Sequence, residues 1–334
     1  RSPRIRQMAF EIVPEQEGDG GVSLVWTALV QSDRDVERLK PRGKYGADWT
    51  GLIVEHPAVV SQPEYGLLFG REEVARLRRK AGLPFYRGWM DQLRQKARAM
   101  LKVAPEALIG RFACPPLHYT REFERKALAG TGAYGQSWDN FHHLALVGLI
   151  DQDVRVLRHA ARWLLSVAHC EYWYNDFEGE IPGVTWHHRA FTESEVSLQA
   201  ALTLDWAGGL LTPAGRNLVL DALSRRGLTR IQHDFIDPQM QYIRSCNQGL
   251  WFNAGRILGM IVLSRAWPRS SIRLKEVVAD TREMFDQIYA RDGGSVEGPA
   301  YWRVTTSYGL LGLTALARHL KCDPADLVPA KIRN

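Results

Sequence analysis

The stretch that decides the fold class is Val154–Ala168, which reads VRVLRHAARWLLSVA. Its apolar residues recur three and four positions apart, the spacing that lines one face of an α-helix. The same spacing returns in two other stretches, which are Trp89–Leu101 and Leu250–Ile261. Because no strand-like alternation interrupts this pattern, the chain is predicted to be mainly helical from about residue 70 onward.

Further helices are expected on both sides of these three. They lie near residues 136–149, 189–207, 272–290 and 304–320, and one more begins at Thr212. Thr212 suits an N-cap because Pro213 follows it at the first helical position, and Gly227 is expected to end that helix. Short connections favour antiparallel hairpins, and the lack of alternating strands argues against a parallel sheet. The predicted fold is therefore mainly α, an incomplete (α/α) toroid of antiparallel helix hairpins.

Residues 1–65 have a different pattern. Met8–Val13 and Val22–Val30 are rich in β-forming residues and are separated by the turn-like stretch Glu17–Gly21. Leu52–Val60 is expected to form a third strand. The sequence thus predicts a small N-terminal β element at residues 1–65 and a helical domain at residues 66–334.

Composition excludes several classes of protein. The 334 residues include 43 Lys and Arg against 37 Asp and Glu, which gives a formal charge of +6. No uncharged apolar run approaches the length of a membrane-spanning helix. The four cysteines are far apart and form no CxxC pair, so neither a disulfide scaffold nor a zinc ribbon is indicated. The arginines are scattered, which disfavours nucleic acid as a partner, whereas an acidic polymer of another kind stays open.

One glycine-rich stretch imitates a cofactor motif. Gly130–Gly135 fits the GxGxxG spacing of dinucleotide-binding loops, but that spacing indicates a dinucleotide only when it follows a strand. Here it follows Arg121–Ala129, which is predicted to be helical. We interpret it as a loop between helices, and no cofactor is expected.

Three polar segments stand just before predicted helices. They are Tyr172–Glu195, Arg244–Trp251 and Asp292–Arg303. Backbone N–H groups at a helix start attract anions, and aromatic side chains can stack on sugar rings. Trp173, Trp186 and Trp302 are aromatic candidates for such stacking, and the alternative for each is a place in the core.

The third segment resembles a known family. Asp292–Trp302 reads DGGSVEGPAYW and is similar to the DG-S-x-EG-x-x-Y segment of the heparinase II/III-like polysaccharide lyases, a superfamily related to dermatan-sulfate epimerase and alginate lyases. Other stretches resemble family motifs in the same order along the chain, namely Tyr65–Glu73, Arg189–Trp206 with Leu210–Pro213, and Cys246–Trp251. The resemblance covers about residues 60–320.

The resemblance implies a fold and an activity. The family combines an (α/α) toroid with C-terminal β-sandwich layers, and it cleaves uronate-containing glycans such as heparan sulfate, chondroitin or alginate by β-elimination. By this resemblance Tyr301 is the general acid and base, and Asn247 neutralises the uronate carboxylate. The protein is then expected to be periplasmic or secreted, with an acidic polysaccharide or oligosaccharide as its partner.

The chain departs from the family pattern at three places. The β-sandwich, which supplies a catalytic His in many members, has no room before Asn334 and is expected to be absent or to lie beyond this stretch. Some members have His at the position of Asn247. Many have an aromatic residue where this chain has Arg303, so the specificity tied to these positions does not transfer.

The chemistry of β-elimination independently suits these residue types. Removing the C5 proton of a uronate puts a second negative charge on its carboxyl group. A donor such as Asn247 or Gln248, or a cation such as Arg303 or Arg189, must stabilise that charge, and each well-placed donor lowers the barrier by about 3–4 kcal/mol. A Tyr whose pKa is lowered by nearby cations can take the proton and return one to the leaving oxygen.

Other residues of these segments are secondary candidates. His188 is a further catalytic candidate, and His187, Glu297, Trp186 and Trp302 are candidates for substrate binding. No metal site is expected at His187–His188 or at His142–His143, because neighbouring helical residues point about 100° apart.

Several candidates also have a structural alternative. Asn247 can be a helix N-cap, the commonest role of Asn at such a place. Glu297 can bond loop amides or pair with an Arg. Glu193 and Glu195 can belong to the first turn of a helix or pair with Arg189.

Three other functions stay open alongside the lyase. A uronate C5-epimerase abstracts the same proton. A glycoside hydrolase needs two carboxylates across the cleft, for which Asp176, Glu193, Asp292 and Glu297 are available. A non-catalytic glycan-binding domain needs neither. The substrate polymer and the oligomeric state are not readable from the sequence.

Overall fold

The computed structural model of the chain describes residues 49–55, 57, 62–106, 141–170, 173, 191–237 and 244–332. Its α-helices are α1 Arg71–Ala81, α2 Pro84–Met100, α3 His142–Asp151, α4 Val154–His169, α5 Phe191–Ala207, α6 Pro213–Ala222, α7 Asn247–Ala266, α8 Leu274–Ile288 and α9 Pro299–Leu320. Short 3₁₀ helices are Gly208–Leu210, Pro268–Arg273, Pro324–Leu327 and Ala330–Ile332. The mainly helical fold predicted from the sequence is confirmed in this part of the chain. None of the helices there is long and apolar enough to cross a membrane.

The predicted N-terminal β element falls largely outside these residues. Met8–Val13 and Val22–Val30 lie outside them, as does the glycine-rich loop Gly130–Gly135. Of the third predicted strand, the structure describes Leu52–Glu55 and Pro57. Ile53 forms isolated bridges to Thr50 and Leu211, and no strand is formed in the described ranges.

The start of α6 is held against this extended segment. Thr212 caps the helix, because its side chain accepts a hydrogen bond from Gly215 N at 3.2 Å, as the sequence predicted. Thr212 N donates to Leu52 O at 2.9 Å. Gly215 lies so close to Leu52 O that a side chain at this position would collide with the backbone.

The end of α6 differs from the prediction. The helix does not end at Gly227 but continues as the π-helical stretch Leu223–Leu228, the turn Thr229–Ile231 and the π-helical stretch Gln232–Ile236. We call residues 223–236 the α6 extension. A Cβ on Gly227 would collide with Ser197 Oγ of α5. The glycine therefore allows two helices to approach closely and does not act as a C-cap.

Four helices pack side by side in chain order. In this central layer, α3 contacts α5, α5 contacts α7 and α7 contacts α9. Almost every residue of α7 from Asn247 to Ser264 is buried, as expected for a helix covered on all sides. The α4 helix packs behind α3 and α5, the α6 extension behind α5 and α7, and α8 against α7.

The helices of the central layer share a direction. Since each is separated from the next by a helix or hairpin that returns the chain, alternate helices run parallel. Side-chain contacts agree with this, because Ser194 near the start of α5 donates to Phe252 O near the start of α7 at 2.9 Å. The N-terminal ends of α5, α7 and α9 therefore meet at one end of the layer.

Asp205 ties the segment before α1 to the central layer. Its carboxylate accepts hydrogen bonds from Tyr65 N at 2.6 Å, Gly66 N at 2.9 Å and Leu67 N at 3.0 Å. Burial raises the pKa of Asp205 even though these bonds act in the opposite direction.

Replacing this carboxylate is expected to destabilise the fold. Asp205→Ala leaves three buried or half-buried N–H groups without their acceptor, so the free energy of unfolding should fall by about 3 kcal/mol in urea denaturation. Asp91→Ala removes an exposed carboxylate that pairs with Arg94 at 3.4 Å, and it should change stability by less than about 0.5 kcal/mol. Equal effects of the two variants would contradict the role given to Asp205.

Candidate functional site

The candidate site lies where α5, α7 and α9 begin. The loop before α9 is shaped by two glycines with positive φ, Gly293 at 79° and Gly298 at 86°. Gly298 is the N-cap residue of α9, and its backbone conformation is one that other residues rarely adopt. Pro299 then occupies the first helical position, which suits its fixed φ. This local chemistry explains why α9 starts two residues before Tyr301.

Glu297 connects this loop to the start of α7. Its Oε1 accepts a hydrogen bond from Asn247 Nδ2 at 2.9 Å, and its Oε2 accepts one from Asn247 N. The carboxylate thus takes up an N–H group that has no partner within α7. Glu297 has the structural role that the sequence allowed as an alternative, and it fixes the loop before α9 against α7.

The interpretation of Asn247 as a helix N-cap is wrong. Cys246 occupies the N-cap position and Asn247 is the first residue of α7. The acceptor for the helix start comes instead from Glu297, fifty positions along the chain. Asn247 is 7% exposed, so its amide lies at the edge of the interior with one N–H already given to Glu297.

Tyr301 lies on the first turn of α9 and is 41% exposed. Tyr308 follows it by seven residues, a spacing that places both on the same helix face. Tyr308 stacks on Trp251 of α7, with ring centroids 4.7 Å apart and planes 15° apart. Tyr301 therefore lies on the face of α9 that points toward the start of α7.

The two residues after Tyr301 lie on other sides of the helix, because successive positions are about 100° apart. Trp302 is 44% exposed, and its Nε1 donates to Gly293 O at 3.0 Å, which holds the indole against the loop. Arg303 is exposed. Gln248, the second residue of α7, is half-buried, and its Oε1 has no hydrogen-bond partner among the described residues.

A buried carboxyl group beneath this surface was not predicted as part of the site. Glu195 Oε2 accepts hydrogen bonds from Trp251 Nε1 and Tyr308 OH, each at 3.1 Å. Burial raises the pKa of Glu195 above the ordinary carboxyl range, although both donors oppose the shift. Burial also raises the pKa of Tyr308, with the Glu195 charge adding to the effect. Glu195 and its two hydrogen-bond donors, Trp251 and Tyr308, join α5, α7 and α9 at the level of the site.

Two features of the sequence carried a signal for this group. The first is the seven-residue spacing of Tyr301 and Tyr308. The second is the polar run at the start of an otherwise apolar α5, since Glu193, Glu195 and Gln199 are all buried. Buried polar residues on a central helix indicate a hydrogen-bonded network.

His142 and His143 begin α3, next to the middle of α5. Phe141 N donates to Gln199 Oε1 at 3.1 Å, and the two imidazole centroids are 4.2 Å apart. Burial lowers the pKa of His142 to about 3 and that of His143 to about 4. Both imidazoles are therefore neutral near pH 7 and supply no positive charge to an acidic ligand.

These histidines make stability depend on pH. Their folded pKa values lie below the ordinary value of 6.5, so the unfolded chain binds protons that the folded chain does not. Above pH 6.5 both the folded and the unfolded chain carry neutral imidazoles, and the protein keeps its full stability. As the pH falls from 6.5 toward 4, the unfolded chain takes up protons and the free energy of unfolding decreases. Each imidazole should lower the free energy of unfolding by about 1 kcal/mol per pH unit in that window. Urea denaturation at pH 7 and pH 5 measures this, and His143→Gln should give a shallower dependence.

The other predicted site residues are distributed as follows. Trp186, His187, His188 and Arg189 lie outside the described residues. Trp173 is 1% exposed and donates from Nε1 to Val167 O at 3.1 Å. Its interpretation as a sugar-stacking residue is wrong, because the indole fills the core between α4, α5 and the α6 extension.

No family model and no curated protein matches this chain. The function is therefore argued from the residues and their geometry.

Proposed function

We propose that this chain is the helical domain of a polysaccharide lyase that cleaves a uronate-containing acidic glycan by β-elimination. We also propose that the central layer and the helices behind it belong to an incomplete (α/α) toroid, because two layers of alternating antiparallel helices are the building unit of that fold. The reaction takes place at the N-terminal ends of α5, α7 and α9. A periplasmic or secreted location is part of the proposal.

The observation that carries this proposal is the position of Tyr301. The exposed Tyr301 shares a face of α9 with Tyr308, which stacks on Trp251 of α7. Glu297 joins the two helix starts. The N-terminus of α9 carries a partial positive charge that favours a negatively charged ligand, whereas the N-terminus of α7 is already paired with Glu297. An accessible proton carrier beside such an anion-attracting surface suits proton abstraction next to a carboxylate.

The proposed reaction uses Tyr301 twice. Its phenolate oxygen takes the proton from C5 of the uronate, and the electron pair of that bond forms the C4–C5 double bond. The bond between C4 and the glycosidic oxygen breaks, and the Tyr301 hydroxyl returns the proton to that oxygen. The products are a new chain end and an unsaturated uronate, with no other reactant required.

Glu297 restricts how the substrate carboxylate is bound. Its carboxylate already accepts hydrogen bonds from the first N–H of α7 and from the Asn247 amide. Its negative charge would repel a second carboxylate placed directly beside it. The uronate carboxylate is therefore placed on the second Nδ2 hydrogen of Asn247, the one that Glu297 does not accept.

Removing the Asn247 amide tests its part in the reaction. Asn247→Ala should lower kcat by about a hundredfold to a thousandfold, the usual effect of losing one donor to a developing oxyanion. The rate is measured as ultraviolet absorbance of the unsaturated product from heparan sulfate, chondroitin, hyaluronan, alginate and glucuronan. Gln287→Ala removes an amide of α8 that bonds Glu283 and serves as the control. Unchanged turnover in Asn247→Ala would exclude Asn247 as the neutralising group.

A uronate C5-epimerase is the second candidate, because the same phenol and amide can remove the C5 proton. It would exchange that proton with solvent deuterium and leave the chain uncut.

The hydrolase alternative is less favoured by the geometry. Of its carboxylates, Glu297 is bonded to the start of α7 and Glu193 is buried in α5.

A further inference from the structure

A cavity of about 360 Å³ lies between the α6 extension, α7 and the 3₁₀ helix Pro268–Arg273. The α6 extension and α7 touch closely beside it, since a Cβ on Gly259 would come within 2.9 Å of Leu228 Cδ2. The 3₁₀ helix closes the third side. Two π-helical stretches form one wall, a type of helix that is rare and is often found at functional sites.

Apolar side chains form much of the cavity surface. Leu228, Met260, Leu263 and Trp267 line it, and Trp267 remains 40% exposed. An exposed indole at the mouth of an apolar cavity offers a flat surface on which a ring can stack. The volume lies within the range of small-molecule sites.

One wall of the cavity is polar and ordered. Arg256 Nη2 donates to Gln232 Oε1 at 3.1 Å, and Gln232 Nε2 donates to Asp237 Oδ1 at 2.6 Å. Arg256 is 1% exposed, and its Nε has no acceptor among the described residues. The wall thus offers a fixed row of donors and acceptors.

The charges around the cavity favour a neutral ligand. Arg256 is paired with Asp280 at 2.6 Å, and Arg273 with Glu276 at 2.8 Å. Both cations already have a carboxylate partner, and Asp237 adds a negative charge to the wall. An acidic ligand would meet that carboxylate, whereas a hydroxyl group can donate to it.

We infer that this cavity is a second carbohydrate site that binds one neutral pyranose ring, with the apolar ring face on Trp267 and hydroxyl groups on the Gln232–Asp237 wall. Trp267 directly follows the 20 residues of α7, so it lies about 30 Å from the start of that helix. The site is therefore separate from the proposed reaction centre, and it does not depend on the lyase assignment.

Saturation-transfer NMR with the whole chain tests the site. The probes are methyl β-glucopyranoside and methyl α-mannopyranoside as neutral sugars, and glucuronate as the acidic one. A neutral glycoside should bind, and Trp267→Ala should raise its Kd by at least about tenfold, whereas any glucuronate bound at the proposed reaction centre should bind equally well to Trp267→Ala. Trp89→Ala removes an indole that is 59% exposed on α2, and it should leave the Kd unchanged.

Asp237→Ala is the second variant, chosen because Asp237 is exposed and its removal should not disturb the core. It should weaken binding severalfold at an unchanged melting temperature. Binding of the neutral probes that is equal in Trp267→Ala and the wild type, a preference for glucuronate that is lost in Trp267→Ala, or no binding of either neutral probe would overturn the inference. The Tyr301→Phe protein should bind as the wild type does, so a failure of the lyase proposal is distinguishable from a failure of this one.

Discussion

A Tyr301→Phe protein is expected to keep its fold and to lose its lyase activity, with kcat lower by at least about a thousandfold. The side chain is 41% exposed, so removing its hydroxyl takes little from the packed interior. The same hydroxyl is the proposed carrier of the proton in both halves of the elimination. The measurement is the ultraviolet absorbance of unsaturated products from the acidic polysaccharides named above, at equal protein concentration.

Tyr289→Phe is the matched control for this experiment. Tyr289 lies at the other end of the same loop, and its hydroxyl forms a hydrogen bond of 2.8 Å with Thr306 Oγ1. Burial raises the pKa of Tyr289, so its hydroxyl stays protonated near pH 7. Its replacement should cost about 1 kcal/mol of stability and leave turnover intact. A fully active Tyr301→Phe protein would remove Tyr301 from the mechanism.

An Asp280→Ala protein is expected to lose about 3–5 kcal/mol of unfolding free energy. Asp280 accepts hydrogen bonds from Arg256 Nη1 at 2.6 Å and from Arg244 Nη2 at 2.7 Å. Arg256 is 1% and Arg244 is 7% exposed, so both guanidinium groups would lose a partner while buried. Burial already lowers the pKa of Arg256, against the effect of Asp280. Urea denaturation measures the loss, which should appear as a lower midpoint with an unchanged m-value.

Asp221→Ala provides the exposed counterpart. Asp221 pairs with Arg225 at 2.7 Å, and their side chains are 47% and 76% exposed. Solvent screens such a pair, so its removal should change stability by less than about 0.5 kcal/mol. A loss of under about 1 kcal/mol in Asp280→Ala would show that the two buried arginines are compensated by other groups.

The helices were predictable because their signals are local. The apolar spacing in Val154–Ala168 corresponds to α4, which ends one residue later, at His169. The Thr212–Pro213 start of α6 also follows from adjacent residues. The continuation of α6 past Gly227 was not predictable, because this glycine is required by contact with Ser197, thirty positions earlier in the chain.

The site was predictable only in part, for the same reason. The sequence placed Tyr301 in a polar segment just before a helix expected near residues 304–320, whereas α9 begins at Pro299 and includes Tyr301 in its first turn. The N-cap assignment of Asn247 failed because its acceptor, Glu297, comes from another loop. Glu195 and Tyr308 are 113 positions apart, and only the packed central layer brings their oxygen atoms to 3.1 Å.

The most direct test of the central claim is proton NMR of a uronate polymer incubated with the protein in deuterated water. The account predicts a new vinyl proton signal from C4 of a C4–C5 unsaturated uronate, formed by the wild type and absent with Tyr301→Phe. New chain ends without a vinyl signal, loss of the C5 proton signal without cleavage, or an equal vinyl signal from Tyr301→Phe would contradict it.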